Sequence, residues 1–136
     1  MLKQKLLSVV SAVFVTACSQ TDRYSCQGKT RNWPLRTDLS RGIEPLRVDI
    51  YVTREGFIRW NGKVVSPDNL RQYARINDAL LPNPPIVLSH DPFASCENVE
   101  FVRDILDRLP MCHEGKCGEQ ATWERIYGRP VEPPLD

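Results

Sequence analysis

The sequence predicts an α+β fold, a two-layer sandwich with two helices packed on one face of a small mixed sheet. Three patterns carry that expectation. Apolar side chains alternate at Leu46, Val48, Ile50 and Val52; Asn61 and Gly62 divide two short β-prone runs; and Val99, Val102, Leu106 and Leu109 recur at helical steps.

Taken in order, Leu46, Val48, Ile50 and Val52 interleave with Arg47, Asp49, Tyr51 and Thr53, the period of a half-buried strand. Glu55 and Gly56 mark a turn, and 57–60 is a second strand. Asn61 and Gly62 tolerate positive φ, so they fit the tight turn of a hairpin whose return strand is 63–65. Ser66 is placed to cap a helix with Pro67 at its first position, where no backbone N–H is needed. Leu70, Tyr73, Ala74 and Leu80 are its expected buried face. Asn83, Pro84 and Pro85 stop it, and 86–88 is a short apolar strand. His90, Asp91 and Pro92 turn the chain, and Ser95 caps a second helix that Pro110 ends. The stretch 123–127 reads as a last strand. The sheet's second face is then expected to be partly polar or covered by a partner.

The 136-residue chain opens with Lys3, Lys5 and an apolar run over 6–15. That run is too short to span a bilayer, which takes about 20 residues. It has the size of a signal-peptide core. Val15, Thr16, Ala17 and Cys18 resemble the bacterial lipobox, in which the cysteine is lipidated and becomes the first mature residue. An ordinary secretory signal also has small residues before its cut, but it has no need of a cysteine there. The expected organisation is signal peptide 1–17, lipidated N-terminus and tether 18–45, domain 46–127 and Pro-rich tail 128–136. Ser19 after the lipidated cysteine favours an outer-membrane anchor facing the periplasm, by resemblance to Gram-negative lipoproteins. Docking of the tether through Trp33 and Leu35 is expected, with Cys26 pinning it.

Without Lys3 and Lys5, sixteen basic residues face seventeen acidic ones, a net charge near −1. No basic stripe speaks for nucleic acid or an anionic lipid surface. With Cys18 given to lipid, Cys26, Cys96, Cys112 and Cys117 remain in an oxidising compartment. Of three possible pairings, the sequence favours Cys112 with Cys117 as a local loop and Cys26 with Cys96 as a long tie. The loops contribute about 2 and about 4 kcal/mol respectively.

The ordered set formed by Glu55, Gly56, Phe57 and Ile58, then Asn61, Gly62 and Val65, then Leu70, is similar to the periplasmic domain of the ExbD/TolR biopolymer-transport family. Asn83 and Pro84, the strand 86–88, Asp91, Val99 and Val102 continue the resemblance, which covers 46–109. Relatives join this domain to a transmembrane helix whose aspartate serves proton-driven energy transduction. This chain departs from that plan in having a lipobox in place of the helix, Cys96 where many relatives have an aromatic, and a longer 110–118 segment. The resemblance therefore implies the partner-contacting role of the periplasmic part, in a TonB- or Tol-like system.

Cys112, His113, Cys117 and His90 could in principle ligate zinc, but only one close pair exists and oxidation competes, so no metal is expected. Asp91 could meet a partner's backbone N–H groups or serve its own turn. Trp60 could be a recognition aromatic or a sheet anchor. Glu97, Glu100, Asp104 and Asp107, interleaved with Arg103 and Arg108, read as a solvated helix face. No phosphate loop, nucleophile elbow or cofactor motif occurs, which points to a binding protein and not an enzyme. The expected partner is an envelope protein, met by strand addition, or peptidoglycan; the same edge would also serve a homodimer.

Overall fold

A computed structural model describes residue 26 and residues 31–37 and 46–128. Its elements run β1 (Val48–Val52), β2 (Ile58–Trp60), β3 (Lys63–Val65), α1 (Pro67–Ala79), β4 (Ile86–His90), α2 (Cys96–Asp107), α3 (Pro110–His113), β5 (Cys117–Glu119) and α4 (Gln120–Tyr127). The five strands form one mixed sheet in the order β3-β2-β1-β4-β5. β1, β2 and β3 pair antiparallel, whereas β4 lies parallel to β1 and β5 parallel to β4. The class is α+β.

Local chemistry explains the first half of the chain. Asn61 and Gly62 adopt φ of 48° and 84°, the two positive values that a two-residue hairpin turn requires. Ser66 Oγ accepts the Asn69 N–H and Pro67 takes the first helical position. Ser95 caps α2 in the same way, accepting from Asn98. Val48, Ile50 and Val52 point to one side and meet Ile86 and Leu88 of the parallel neighbour. Leu70 and Ala74 of α1, with Val99, Val102 and Leu106 of α2, complete this core.

Several expectations are corrected. Leu46 is 90% exposed because the strand's pairing starts at Val48, whose N–H donates to Pro85 O. Tyr73 and Leu80 are exposed too; the third buried position of α1 is Asn77, made tolerable by its Nδ2–H bond to Pro84 O at 2.9 Å. Pro110 starts α3 where it was expected only to end α2, which stops at Asp107.

Residues 123–127 belong to a helix, not a strand. β-prone Trp123, Ile126 and Tyr127 sit at steps of 3 and 1, and the i, i+4 rings of Trp123 and Tyr127 pack with centres 4.4 Å apart and planes tilted by 39°. The edge place in the sheet is taken by β5. In consequence helices lie on both faces. Trp123 is buried on the second face against Gly118, where a Cβ would meet Leu35 at 3.3 Å and the Trp123 ring at 3.9 Å. The Arg47 guanidinium stands 5.5 Å from the Trp123 ring centre. The second face is thus covered in part by the chain's own α4.

Candidate functional site

The two edges of the sheet differ. Along β5, the segment 31–37 runs as a strap: Leu35 bridges Lys116 antiparallel, and the Arg36 N–H donates to Gly115 O at 3.0 Å. Gly115 has φ of 92°, and a Cβ there would sit 2.5 Å from Arg36 Cγ, so glycine is what lets the strap approach. Along β3, no pairing occurs on the outer side among the described residues. The two-residue turn makes Trp60 and Lys63 the hydrogen-bonded pair of the hairpin. Val64, opposite Arg59, falls in the non-bonded pair and directs its own N–H and C=O outward.

The side chains around that edge follow from the pleat. Lys63 and Val65 share the α1 side with Trp60, while Val64 faces the other way and is 59% exposed. With Leu70, Ala74 and Asn77 turned inward, helical geometry puts Tyr73, Ile76 and Leu80 on the flank of α1 beside this edge. All three are exposed, as is Leu81. Trp60 is half-buried, with its ring edge-on to Tyr73 at 5.7 Å and 62°. An unpaired backbone row therefore borders an apolar helix flank.

Asp91 is a turn residue by geometry. Its Oδ1 accepts the Phe93 N–H at 2.8 Å, and its own N–H donates to Val52 O. Arg54 Nε stands 3.5 Å from the same oxygen, and the Arg54 guanidinium covers the Phe93 ring at 4.5 Å. Trp60 is engaged with α1, so the two candidate partner residues share no neighbour of this kind.

The cysteines pair as Cys26 with Cys96 and Cys112 with Cys117. Cys18 lies outside the described residues. With those sulfurs bonded, His113 at the end of α3 and Glu114 after it are exposed, and His113 Nε2 lies 2.6 Å from Asp107 O. Among the described residues, the cluster of possible metal ligands is Cys26, Cys96 and Glu100. Its two sulfurs are bonded to each other, and Arg103 Nη1 lies 3.6 Å from Cys26 Sγ. That donor set does not suit a cation.

The acidic side of α2 is not a plain solvated face. Arg31 of the strap reaches Glu100 at 2.9 Å, Asp104 at 2.6 Å and Asp107 at 3.2 Å. Trp33 Nε1 donates to Asp107 at 2.7 Å. Beneath them Arg103 is 1% exposed; its Nε donates to Glu119 Oε1 and its Nη1 to Glu100 at 2.7 Å. Burial pushes the Glu119 carboxyl above its ordinary range, against the opposing pull of the Arg103 hydrogen bond and charge. Helical spacing could have flagged Arg103, since it falls between Val99 and Leu106 on the inward face. This pair is enclosed and ties α2 to β5 without opening to substrate.

No helix among the described residues is long and apolar enough to cross a membrane. Comparison of the chain with protein-family models and with curated protein sequences found no match.

Proposed function

We propose that this chain is a lipid-anchored periplasmic binding protein, non-enzymatic, that recruits an envelope protein of a TonB- or Tol-like system by strand addition at β3. The observation that carries the reading is the open β3 edge beside the apolar α1 flank. Main-chain groups of Val64 supply affinity, and Tyr73, Ile76 and Leu80 offer a surface for alternate side chains of the added strand. The short edge carrying Lys63 guards against indiscriminate pairing. The likeness of 46–109 to the ExbD/TolR periplasmic domain supports a partner-contacting role, and the lipobox at Cys18 supports an outer-membrane anchor.

The reading is tested by placing a photo-crosslinking residue at position 64 in cells, with exposed Glu97 on α2 as the control position. An envelope-protein adduct at 64 that is absent at 97, and lost when Val64→Pro removes the outward N–H, is the expected result. Self-adducts alone would assign the edge to a homodimer. Equal labelling at both positions would refute the edge. In the same cells Cys18→Ala should abolish acyl labelling and release the protein from the membrane fraction.

A second reading, tethering to peptidoglycan, draws on a groove of about 430 Å³ lined by Arg31, Asn32, Trp33, Ala121, Thr122 and Arg125. Co-sedimentation with purified sacculi, lost in Thr122→Val/Arg125→Gln, would favour it over the first.

A further inference from the structure

A groove of about 210 Å³ lies between α1 and the C-terminal end of α2 with the two residues that follow it. Ile105 and Leu109 form its apolar lining; Arg71 and Arg75, one turn apart on α1, and Arg108 at the end of α2 supply its cations. Both helical periods put them there. With Leu70, Ala74 and Asn77 inward, Arg71 and Arg75 fall on the flank opposite Tyr73 and Ile76; with Val99, Val102 and Leu106 inward, Phe101 and Ile105 fall on the flank opposite Glu100 and Asp104. The two flanks meet, as the Arg71 guanidinium 5.3 Å from the Phe101 ring shows.

The charges in this groove are not balanced by its lining. Arg71 meets Asp68 at 3.0 Å on the exposed rim. The next acid on that flank, Asp78, gives its Oδ1 to the Met111 N–H. Arg75 and Arg108 form no ion pair among the described residues, whereas Arg31, Arg47, Arg54 and Arg103 each meet a carboxylate. Three guanidiniums against Asp68 on the rim and Asp78 beyond it leave the flank net positive, and the groove lining itself holds no carboxylate beside its apolar floor.

We propose that this groove binds a phosphate monoester carried on a short aliphatic stem. A monoester has about −1.5 to −2 charge at neutral pH and three free oxygens, one for each of the three guanidinium forks in the lining. A single carboxylate has half the charge and too few oxygens for three arginines. The stem would lie along Ile105 and Leu109. The phosphate can belong to a soluble monoester or to a monoester lipid headgroup.

Calorimetry of the full chain, disulfides intact, in non-ionic detergent at low salt tests the site with inorganic phosphate and hexyl phosphate. Hexyl phosphate should bind more tightly, by about three- to fourfold for each methylene in contact. Arg75→Gln/Arg108→Gln should weaken both probes by about tenfold or more per arginine. Arg54→Gln/Arg59→Gln, which removes equal charge elsewhere on the surface, should leave binding unchanged. These arginines are exposed, and an unchanged far-UV spectrum verifies that each variant is folded. Sedimentation with phosphatidylcholine vesicles, with and without phosphatidic acid, identifies the source: extra retention on phosphatidic acid that hexyl phosphate competes away assigns a headgroup, and hexyl phosphate binding with equal retention on the two vesicles assigns a soluble monoester. No binding of either probe, or equal weakening in the two double variants, would overturn the proposal.

Discussion

Replacing Arg103 with methionine should be among the most damaging single changes in the domain. The guanidinium is 1% exposed and its principal partner, Glu119, is 6% exposed, so the substitution leaves a carboxylate enclosed without its counter-charge. Removing one member of a buried pair costs about 3–5 kcal/mol. Glu100 loses one contact but keeps Arg31 at 2.9 Å, so the orphaned charge is Glu119. Small domains have about 5–15 kcal/mol in total, so much of the stability would go. With an m value of about 2 kcal/mol/M, a loss of about 4 kcal/mol lowers the urea midpoint by about 2 M. The double variant Arg103→Met/Glu119→Leu replaces both charges with apolar groups of similar size and should return to within about 1 kcal/mol of the native protein. The assay is urea denaturation at pH 7 under non-reducing conditions, followed by Trp fluorescence. A shift below about 0.5 M for the single variant would refute the reasoning, because a pair costing that little to break behaves as a surface pair. So would a double variant less stable than Arg103→Met.

Two further outcomes follow from the same geometry. Burial raises the Glu119 carboxyl above its unfolded value, so the folded chain binds this proton at a pH where the unfolded chain has lost it; the Glu119 contribution to stability is present below the unfolded pKa and is lost as pH rises through the folded one. The native-minus-Glu119→Gln stability difference should therefore move in favour of the native protein as pH falls through that window, and a flat or opposite difference in denaturation series would contradict it. Separately, Cys26→Ala/Cys96→Ala opens a loop of separation 70 and Cys112→Ala/Cys117→Ala one of separation 5, so by loop entropy their costs should be about 4 and about 2 kcal/mol. Equal losses in non-reducing urea titrations would show that the strap's ties to α2 outlast its disulfide.

Rules that act within a few residues were legible in the chain. The alternation through Val48, Ile50 and Val52, the Asn61 and Gly62 turn, and the Ser66 and Ser95 caps depend on neighbours at most four positions away. Local pattern misleads where a distant segment chooses between local options. Cys117, Gly118 and Glu119 have no strand signature, yet they pair with β4 and displace 123–127 into a helix. Tyr73 and Leu80 are apolar but lie on the flank of α1 away from α2, while polar Asn77 is inside because Pro84 O receives it.

The candidate sites divide in the same way. That an Asn-Gly hairpin would leave a return strand and that four cysteines would form two bridges could be argued from sequence, because turn chemistry and cysteine parity need no coordinates. Only the tertiary structure decided which edge the strap closes, that Arg103 is buried against Glu119, and that Arg71, Arg75 and Arg108 share one groove. A net charge near −1 conceals that last cluster, since charge is summed along the chain but acts through space, over about 10 Å at ordinary salt.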